Sequence, residues 1–288
     1  MELAPRLGAE VVSADAMLVY RGMDVGTAKP TPAELAAVRH HLVDVVDPGE
    51  EFSVARFQPL ARAAVADVLA RGRVPLLVGG SGLYFHAVVD DFEFPPTDAA
   101  VRSRLEAEAA VRGLPAMYER LAAGDPAAAA RIQPANLRRI VRALEVAELT
   151  GRPFSSFRGA MDEPGTGTKS VYRLRVVGLD PGPEALTERI EARVEAMAAA
   201  GLADEVRALA VRDRGRPARQ ALGYKELLDA FAAGTPVADA LQETARRTRR
   251  YARRQLAWFR RDQRIRWSTL GPGPDLVSWA CDQLKEDV

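Results

Sequence analysis

An apolar run that breaks off in a glycine-rich turn decides how this chain folds: Val74-Pro75-Leu76-Leu77-Val78-Gly79-Gly80-Ser81-Gly82. A short continuous apolar run of this kind is typical of a strand buried on both faces of a parallel sheet. A second run, Ala9–Ser13, has the same character and is followed by the carboxylate of Asp15. The helical stretch Phe57–Ala70 supplies the crossover between them, so the sequence predicts an α/β fold.

The middle of the chain has a different pattern from its two ends. Between residues 94 and 170 no strand signal occurs, and helices are predicted at 98–113, 115–123 and 136–150. We therefore expect an all-helical insertion at 94–170 within an α/β core formed by 1–93 and 171–288. A third strand is predicted at 171–177, followed by helices at 183–200, 202–212 and 223–233, an arginine-rich helix, and a short terminal helix after Gly271.

Composition excludes several classes of protein. The chain has 288 residues, 48% hydrophobic and 27% charged, without an apolar run of about 18 residues that could span a bilayer. No signal peptide pattern precedes the first charged residues, so we expect a cytoplasmic protein without membrane contact. One cysteine and three histidines cannot build a disulfide framework or a cysteine-rich zinc site, so any metal must have oxygen ligands. Nothing in the sequence requires more than a monomer.

A strongly basic segment stands out against a net charge of only +1. Ten arginines and one acidic residue, Asp262, lie between Arg246 and Arg266. Like charges one helical turn apart repel each other by a few tenths of a kcal/mol per pair, and a bound polyanion would offset this cost. Interleaved aromatic residues such as Tyr251 and Trp258 offer surfaces for base stacking. The alternative is a solvated helix whose arginines pair with acidic helices of the same chain.

Three segments near the predicted strand ends could bind ligands. Ligands of open parallel sheets bind beyond the carboxyl ends of the strands, which suits Asp15, although an ordinary helix N-cap would look the same. The turn Gly79–Gly82 allows close backbone approach by a phosphate or base, but many turns in α/β proteins look like this. Residues 21–30, with two glycines and Lys29, suit an ordered loop near an anion, or an ordinary surface loop. The adjacent His40 and His41 would point to opposite faces of a strand and are therefore poor joint metal ligands.

Seven segments, in this order along the chain, closely resemble those of tRNA dimethylallyltransferases. They are Ser13–Ala16, Tyr20–Pro30, His41-Leu42 with Asp47-Pro48, Leu77–Tyr84, Arg142–Val146, Gly223–Glu226 and Arg253–Phe259. The resemblance extends to about Trp267. It implies an α/β, P-loop kinase-like parallel-sheet core and a helical insertion that contacts the tRNA anticodon stem-loop. It also implies transfer of a dimethylallyl group from dimethylallyl diphosphate to the exocyclic amine of the adenosine 3′ of the anticodon.

The resemblance further assigns roles to individual residues. Asp15 is expected to be the general base, and Ser81, where many relatives have threonine, to hydrogen-bond the adenine. Mg²⁺ is expected beside the diphosphate. The expected tRNA contacts are Asp15, Ala16, Met17, Leu18, Ser81, Arg138, Arg139, Arg142, Arg253, Arg254, Gln255, Trp258 and Arg260. The expected diphosphate contacts are Arg219, Gln220 and Lys225.

The sequence departs from the family pattern at its start. In the family, a strand and a Gly-x-Thr-Ala-x-Gly-Lys-Ser/Thr loop, which supplies a metal ligand, precede the segment that corresponds to Glu2–Leu7. We therefore expect either a reading frame that begins upstream or a catalytically inactive RNA-binding remnant. Two further alternatives are an adenylate isopentenyltransferase acting on free nucleotides and a small-molecule kinase with the same core fold.

Overall fold

The chain divides into two compact units, residues 1–88 with 173–288 and residues 89–172. The structure, a computed structural model, describes residues 1–158, 169–210, 216–269, 271 and 273–285. The loop predicted at 151–170 and the end of the helix predicted at 202–212 therefore lie partly outside the described residues. Among the described residues, no helix combines the length and the apolar character needed to cross a bilayer.

The first unit contains all the named strands. These are β1 (Ala9–Ser13), β2 (His40–His41), β3 (Val74–Val78), β4 (Val176–Leu179) and β5 (Ile265–Ser268). Its helices are α1 (Leu3–Leu7), α2 (Pro32–Ala37), α3 (Val54–Ala70), α4 (Gly82–Val89), α9 (Pro183–Ala199), α10 (Leu202–Ala210), α11 (Arg216–Arg219), α12 (Tyr224–Ala233), α13 (Val237–Phe259) and α14 (Pro274–Lys285).

Two small parallel sheets confirm the α/β prediction. The first has the order β2-β1-β3, and the second pairs β4 with β5. The bounds predicted for β1 and β3 are confirmed, because both strands are apolar runs that end at a polar or glycine residue. The crossover helix α3 buries Phe57, Ala61, Val65 and Val68, which recur at helical spacing and form its inner face.

Two predictions at the C-terminal end of the first unit were wrong. The third strand begins at Val176 rather than at residue 171, because its partner β5 pairs with only four residues, Val176–Leu179. The sequence prediction missed β5 because its four residues, with Arg266 among them, form no continuous apolar run. Helix α13 ends at Phe259. Just beyond it, the buried carboxylate of Asp262 accepts a hydrogen bond from the backbone N–H of Arg264, 2.9 Å away. This turn directs the chain into β5.

A buried carboxylate links the first sheet to α3. Glu10 on β1 accepts hydrogen bonds from the guanidinium of Arg71, just beyond α3, and contacts Nε2 of His41 on β2 at 2.7 Å. The hydrogen bonds from Arg71 lower the pKa of Glu10 to about 2 against the effect of its burial. His41 therefore has a structural partner, as the sequence interpretation expected.

The second unit is helical. It contains α5 (Ala99–Arg112), α6 (Leu114–Gly124), α7 (Pro126–Arg131), α8 (Leu137–Thr150) and a 3₁₀ turn at Phe154–Ser156. These elements contribute to one core that includes Leu105, Met117, Leu121 and Ile140. The sequence prediction missed α7, a six-residue helix whose first turn is capped by the buried side chain of Asp125.

Candidate active site

The carboxyl ends of β1 and β3 lie in direct contact. Ser13 pairs with Val78, and the backbone N–H of Ala14 donates to the carbonyl of Val78 at 2.8 Å. A Cβ on Gly79 would lie only 2.7 to 2.9 Å from atoms of Ala14, closer than side chains tolerate. Glycine therefore permits this approach, which brings the segments carrying Asp15 and Ser81 to one edge of the sheet.

The carboxylate of Asp15 is held in a defined orientation by its own backbone. Its Oδ1 accepts hydrogen bonds from the N–H groups of Met17, at 2.7 Å, and Leu18, at 3.3 Å. Among the described residues, no hydrogen bond reaches the other oxygen, Oδ2. The turn predicted to contact tRNA, Asp15–Leu18, therefore fixes one oxygen and leaves the other able to accept a proton.

Helix α13 covers the glycine-rich turn. Nε2 of Gln255 donates to the carbonyl of Gly80 at 2.7 Å, and the indole of Trp258 packs so closely on Gly82 that an added Cβ would lie 2.1 Å from it. Tyr251 is on the same face, because positions i, i+4 and i+7 align on a helix of 3.6 residues per turn. The turn that carries Ser81 thus packs against one face of α13.

Tyr84 and Tyr251 lie close enough to Asp15 for its charge to act on them, and Tyr20 lies near Tyr84. Burial raises the pKa of Tyr20 to about 12, and it also raises the pKa values of Tyr84 and Tyr251. The negative charge of Asp15 adds to the shift for Tyr84 and Tyr251. These phenols therefore stay neutral near pH 7 and can serve as hydrogen-bond donors.

The residues of α13 predicted to bind tRNA fall on two different faces. Arg253 and Arg260 line a cleft of about 230 Å³ together with Thr187 and Arg249, whereas Gln255 and Trp258 contact the turn. At about 100° per residue these two faces lie roughly half a turn apart. Arg254 is exposed, with its guanidinium 5.6 Å from the centre of the Tyr251 ring.

Several arginines of α13 pair with acidic groups of the same chain, as the alternative interpretation proposed. The pairs are Arg246 with Glu243, Arg247 with Glu226, Arg249 with Glu191, and Arg260, just beyond the helix, with Asp180. The exposed side chains of Arg250 and Arg253 form no ion pair with any described residue. Internal pairing thus accounts for part of the basic segment and leaves other cations for an external anion.

The three residues predicted to bind diphosphate lie together. Arg219, Gln220 and Lys225 line one open cleft of about 630 Å³ beside α12. The Nζ of Lys225 is bound to Asp229 one turn along the helix. Asp15 and Ser81 do not line this cleft.

The loop at residues 21–30 is ordered by internal contacts. The carboxylate of Glu205, on α10, accepts hydrogen bonds from the backbone N–H groups of Asp24, Val25 and Gly26 at 2.8 to 3.2 Å. The Nζ of Lys29 contacts the carboxylates of Asp24 and Asp44, and its side chain is only 5% exposed. The anion held by this loop is therefore a side chain of the protein itself.

The arginines predicted for tRNA contact in the second unit differ from one another in exposure. Arg138 and Arg139, in the first turn of α8, are exposed. Arg142 instead donates to the carbonyls of Pro95 and Pro96 at 2.8 and 2.9 Å, and it also pairs with the buried Glu145. Its guanidinium thus supports the start of the insertion.

The described residues provide no cluster of three His, Cys, Asp or Glu side chains that could hold a metal ion. Mg²⁺ is commonly bound through one or two carboxylates together with substrate phosphates.

Comparisons with known proteins agree on one family. Residues 18–262 match the family model described as IPP transferase. A tRNA dimethylallyltransferase of Kineococcus radiotolerans is 58% identical over 274 residues, which cover 94% of this chain and 84% of the relative. One of Geobacillus kaustophilus is 46% identical over 92% of this chain and 84% of the relative.

Solved structures show the same likeness. The full-length tRNA isopentenylpyrophosphate transferase of Bacillus halodurans is 39% identical, with a TM-score of 0.68 over 99% of this chain and 91% of that one. A eukaryotic dimethylallyltransferase acting on tRNA is 25% identical, with a TM-score of 0.71 over 90% of this chain and 65% of that one. The P-loop kinase-like α/β fold class predicted from the sequence is confirmed.

Proposed function

Since this chain belongs to the IPP transferase family, we propose that it transfers a dimethylallyl group from dimethylallyl diphosphate to the exocyclic amine of the adenosine 3′ of the anticodon in tRNA. The enzyme is thus a tRNA dimethylallyltransferase. The family resemblance inferred from seven sequence segments agrees with this assignment.

One geometric observation carries the proposal. The paired ends of β1 and β3 place Asp15 and Ser81 at one edge of the sheet, and α13 packs against the turn that carries Ser81. A base drawn out of the anticodon loop would find there a carboxylate, a hydroxyl and aromatic rings. Extrusion costs a few kcal/mol, which contacts to the RNA offset.

The chemistry requires a base and a site for the leaving group. The exocyclic nitrogen of adenine is a weak nucleophile, because its lone pair is delocalised into the ring. As the new bond from nitrogen to the allylic carbon forms, the bond from that carbon to the diphosphate oxygen breaks, and Asp15 Oδ2 accepts the amine proton. Ser81 hydrogen-bonds the adenine, and the diphosphate leaves with the electrons of the broken bond.

Cationic side chains complete the proposal. Arg219 and Lys225, together with the neutral amide of Gln220, contact the diphosphate, and the two positive charges stabilise the negative charge that develops on it. Mg²⁺, if bound with the diphosphate, would neutralise part of its negative charge. Phosphates of the anticodon stem-loop bind to exposed arginines, namely Arg138, Arg139, Arg253 and Arg254. The protein acts as a monomer in the cytoplasm.

A transfer assay tests this function directly. The protein is incubated with Mg²⁺, labelled dimethylallyl diphosphate and unmodified tRNA with adenosine 3′ of the anticodon, beside the same tRNA with guanosine there and beside free AMP. We expect label only in the first tRNA. Label on AMP alone would instead identify an enzyme of free nucleotides. Binding of tRNA without any transfer would identify an RNA-binding protein.

The role of Asp15 has its own test. Asp15→Asn keeps an oxygen for the N–H groups of Met17 and Leu18 and removes the base. We expect kcat to fall by about 10² or more, while the Kd for tRNA changes less than about twofold. Wild-type turnover in this variant would remove Asp15 from the mechanism.

A further inference from the structure

One stripe of α13 has contacts that the proposed roles do not explain. Tyr251, Gln255 and Trp258 all face the glycine-rich turn, yet the sequence assigned Tyr251 only a stacking surface. The spacing i, i+4, i+7 within an arginine-rich helix was the signal that could have identified this face.

Tyr251 lies inside this interface. Burial raises the pKa of Tyr251, and hydrogen bonding to the side chains of Gln255 and Ser81 lowers it against this larger effect. Gln255 in turn donates to the carbonyl of Gly80, the residue before Ser81, at 2.7 Å. The hydroxyl of Tyr251 is thus close to both Ser81 and Gln255, and Gln255 ties α13 to the carbonyl of Gly80 beside Ser81.

The glycines of the turn let α13 contact the turn directly. A Cβ on Gly80 would lie 2.4 Å from Nε2 of Gln255, and one on Gly82 would lie 2.1 Å from the indole of Trp258. Helix and turn therefore contact each other without an intervening water layer on either side of Ser81. Because the hydroxyl of serine can rotate freely, its direction depends on the groups that bind it.

We propose that Tyr251 is a positioning residue, whose hydroxyl sets the orientation of the Ser81 hydroxyl toward the adenine. This inference rests on the proposed function and extends it from the strand ends to α13. It assigns the specificity for the base to a pair, Ser81 and Tyr251, and not to Ser81 alone.

A double-mutant cycle tests the coupling. Tyr251→Phe keeps the ring and removes only the hydroxyl, and we expect kcat to fall about tenfold with KM for tRNA within twofold. In the Ser81→Ala background the same substitution should have almost no further effect, because Tyr251 acts through Ser81. Tyr118→Phe is the matched control. It removes a tyrosine hydrogen bond, to the carbonyl of Ala129 at 2.8 Å, inside the second unit, and should leave kcat within twofold.

Hydrogen exchange gives a readout that does not depend on activity. In Tyr251→Phe, backbone amides of residues 79–82 should exchange several-fold faster, while amides in the first half of α13 keep their wild-type rates. If the fall in kcat of the double mutant equals the product of the falls in the two single mutants, the two residues act independently and the inference is wrong. If the amides of residues 79–82 exchange at the wild-type rate in Tyr251→Phe, the inference is wrong, whether or not the wild-type protein transfers the dimethylallyl group. Absence of transfer by wild type would refute the proposed function only.

Discussion

Adding one methyl group at Gly82 should separate α13 from the turn that carries Ser81. In Gly82→Ala the new Cβ would lie 2.1 and 2.2 Å from two ring atoms of Trp258, where carbon atoms normally approach to about 3.5 Å. The rigid indole must therefore retreat by more than an ångström. Overpacking of this kind costs about 1 to 3 kcal/mol of unfolding free energy.

The sign of the effect is diagnostic, because Gly82 is also the first residue of α4. Without the clash, replacing a helical glycine by alanine would stabilise the protein by up to about 1 kcal/mol. We expect instead a fall in Tm of about 2 to 12 °C, since 1 kcal/mol corresponds to about 2 to 4 °C in large domains. Turnover should also fall.

Calorimetry and the transfer assay measure both effects beside Gly124→Ala. Gly124 ends α6, and a Cβ there would meet nothing within 4 Å, so this control should be neutral or stabilising. The loss caused by Gly82→Ala should shrink in a Trp258→Leu background, where the ring is absent. A Tm for Gly82→Ala equal to or above that of wild type would refute the packing of α13 on the turn.

Two further predictions concern carboxylates that bind other parts of the fold, Glu10 and Glu205. Glu10→Gln should lower the unfolding free energy by about 1 to 2 kcal/mol at pH 7, a value reduced because Arg71 is one-third exposed. The folded-state pKa of Glu10 lies below its unfolded value. The difference in unfolding free energy between wild type and Glu10→Gln, measured by urea unfolding, should therefore be complete above about pH 4.5 and vanish toward pH 2. A difference constant with pH would contradict it. Glu205→Ala should speed amide exchange at residues 24–26 and cost about 1 to 3 kcal/mol, because three N–H groups lose a charged acceptor. The exposed neighbour Asp204→Ala is the control and should do neither; equal effects of both would contradict the role of Glu205.

Local sequence pattern was sufficient for the strands at the centre of the fold. The bounds of β1 and β3 and their parallel pairing followed from two apolar runs. Burial on both faces was expected for both strands, but it holds for β1 only, because Val74 and Val78 at the two ends of β3 are exposed. The same argument failed at β5, where exposed and buried positions are mixed in Ile265–Ser268 and the strand depends on its pairing with β4. Tertiary pairing decided that segment, and no local signal reports it.

The candidate site was predictable only where chemistry lies beside a strand end. Asp15 and Ser81 stand at such positions, which the strand pattern predicted, whereas their roles in catalysis stay predictions from the family resemblance. The contact of Gln255 with Gly80 joins residues 175 positions apart, and no property of either segment predicts the other. Likewise, the ion pair between Arg260 and Asp180 spans 80 positions, which is why counting arginines overestimated the positive charge left for RNA.

The two opposite faces of α13 complicate any alanine scan of its arginines. Truncating Arg253 or Arg260 alters the cleft toward α9, and truncating Arg260 also leaves the partly buried Asp180 without its ion pair. A weaker RNA affinity of such a variant would therefore combine the lost attraction with local repacking. Arg250 is exposed and unpaired among the described side chains, and it touches neither that cleft nor the turn. Charge reversal at position 250 is thus the cleanest electrostatic probe that this helix offers.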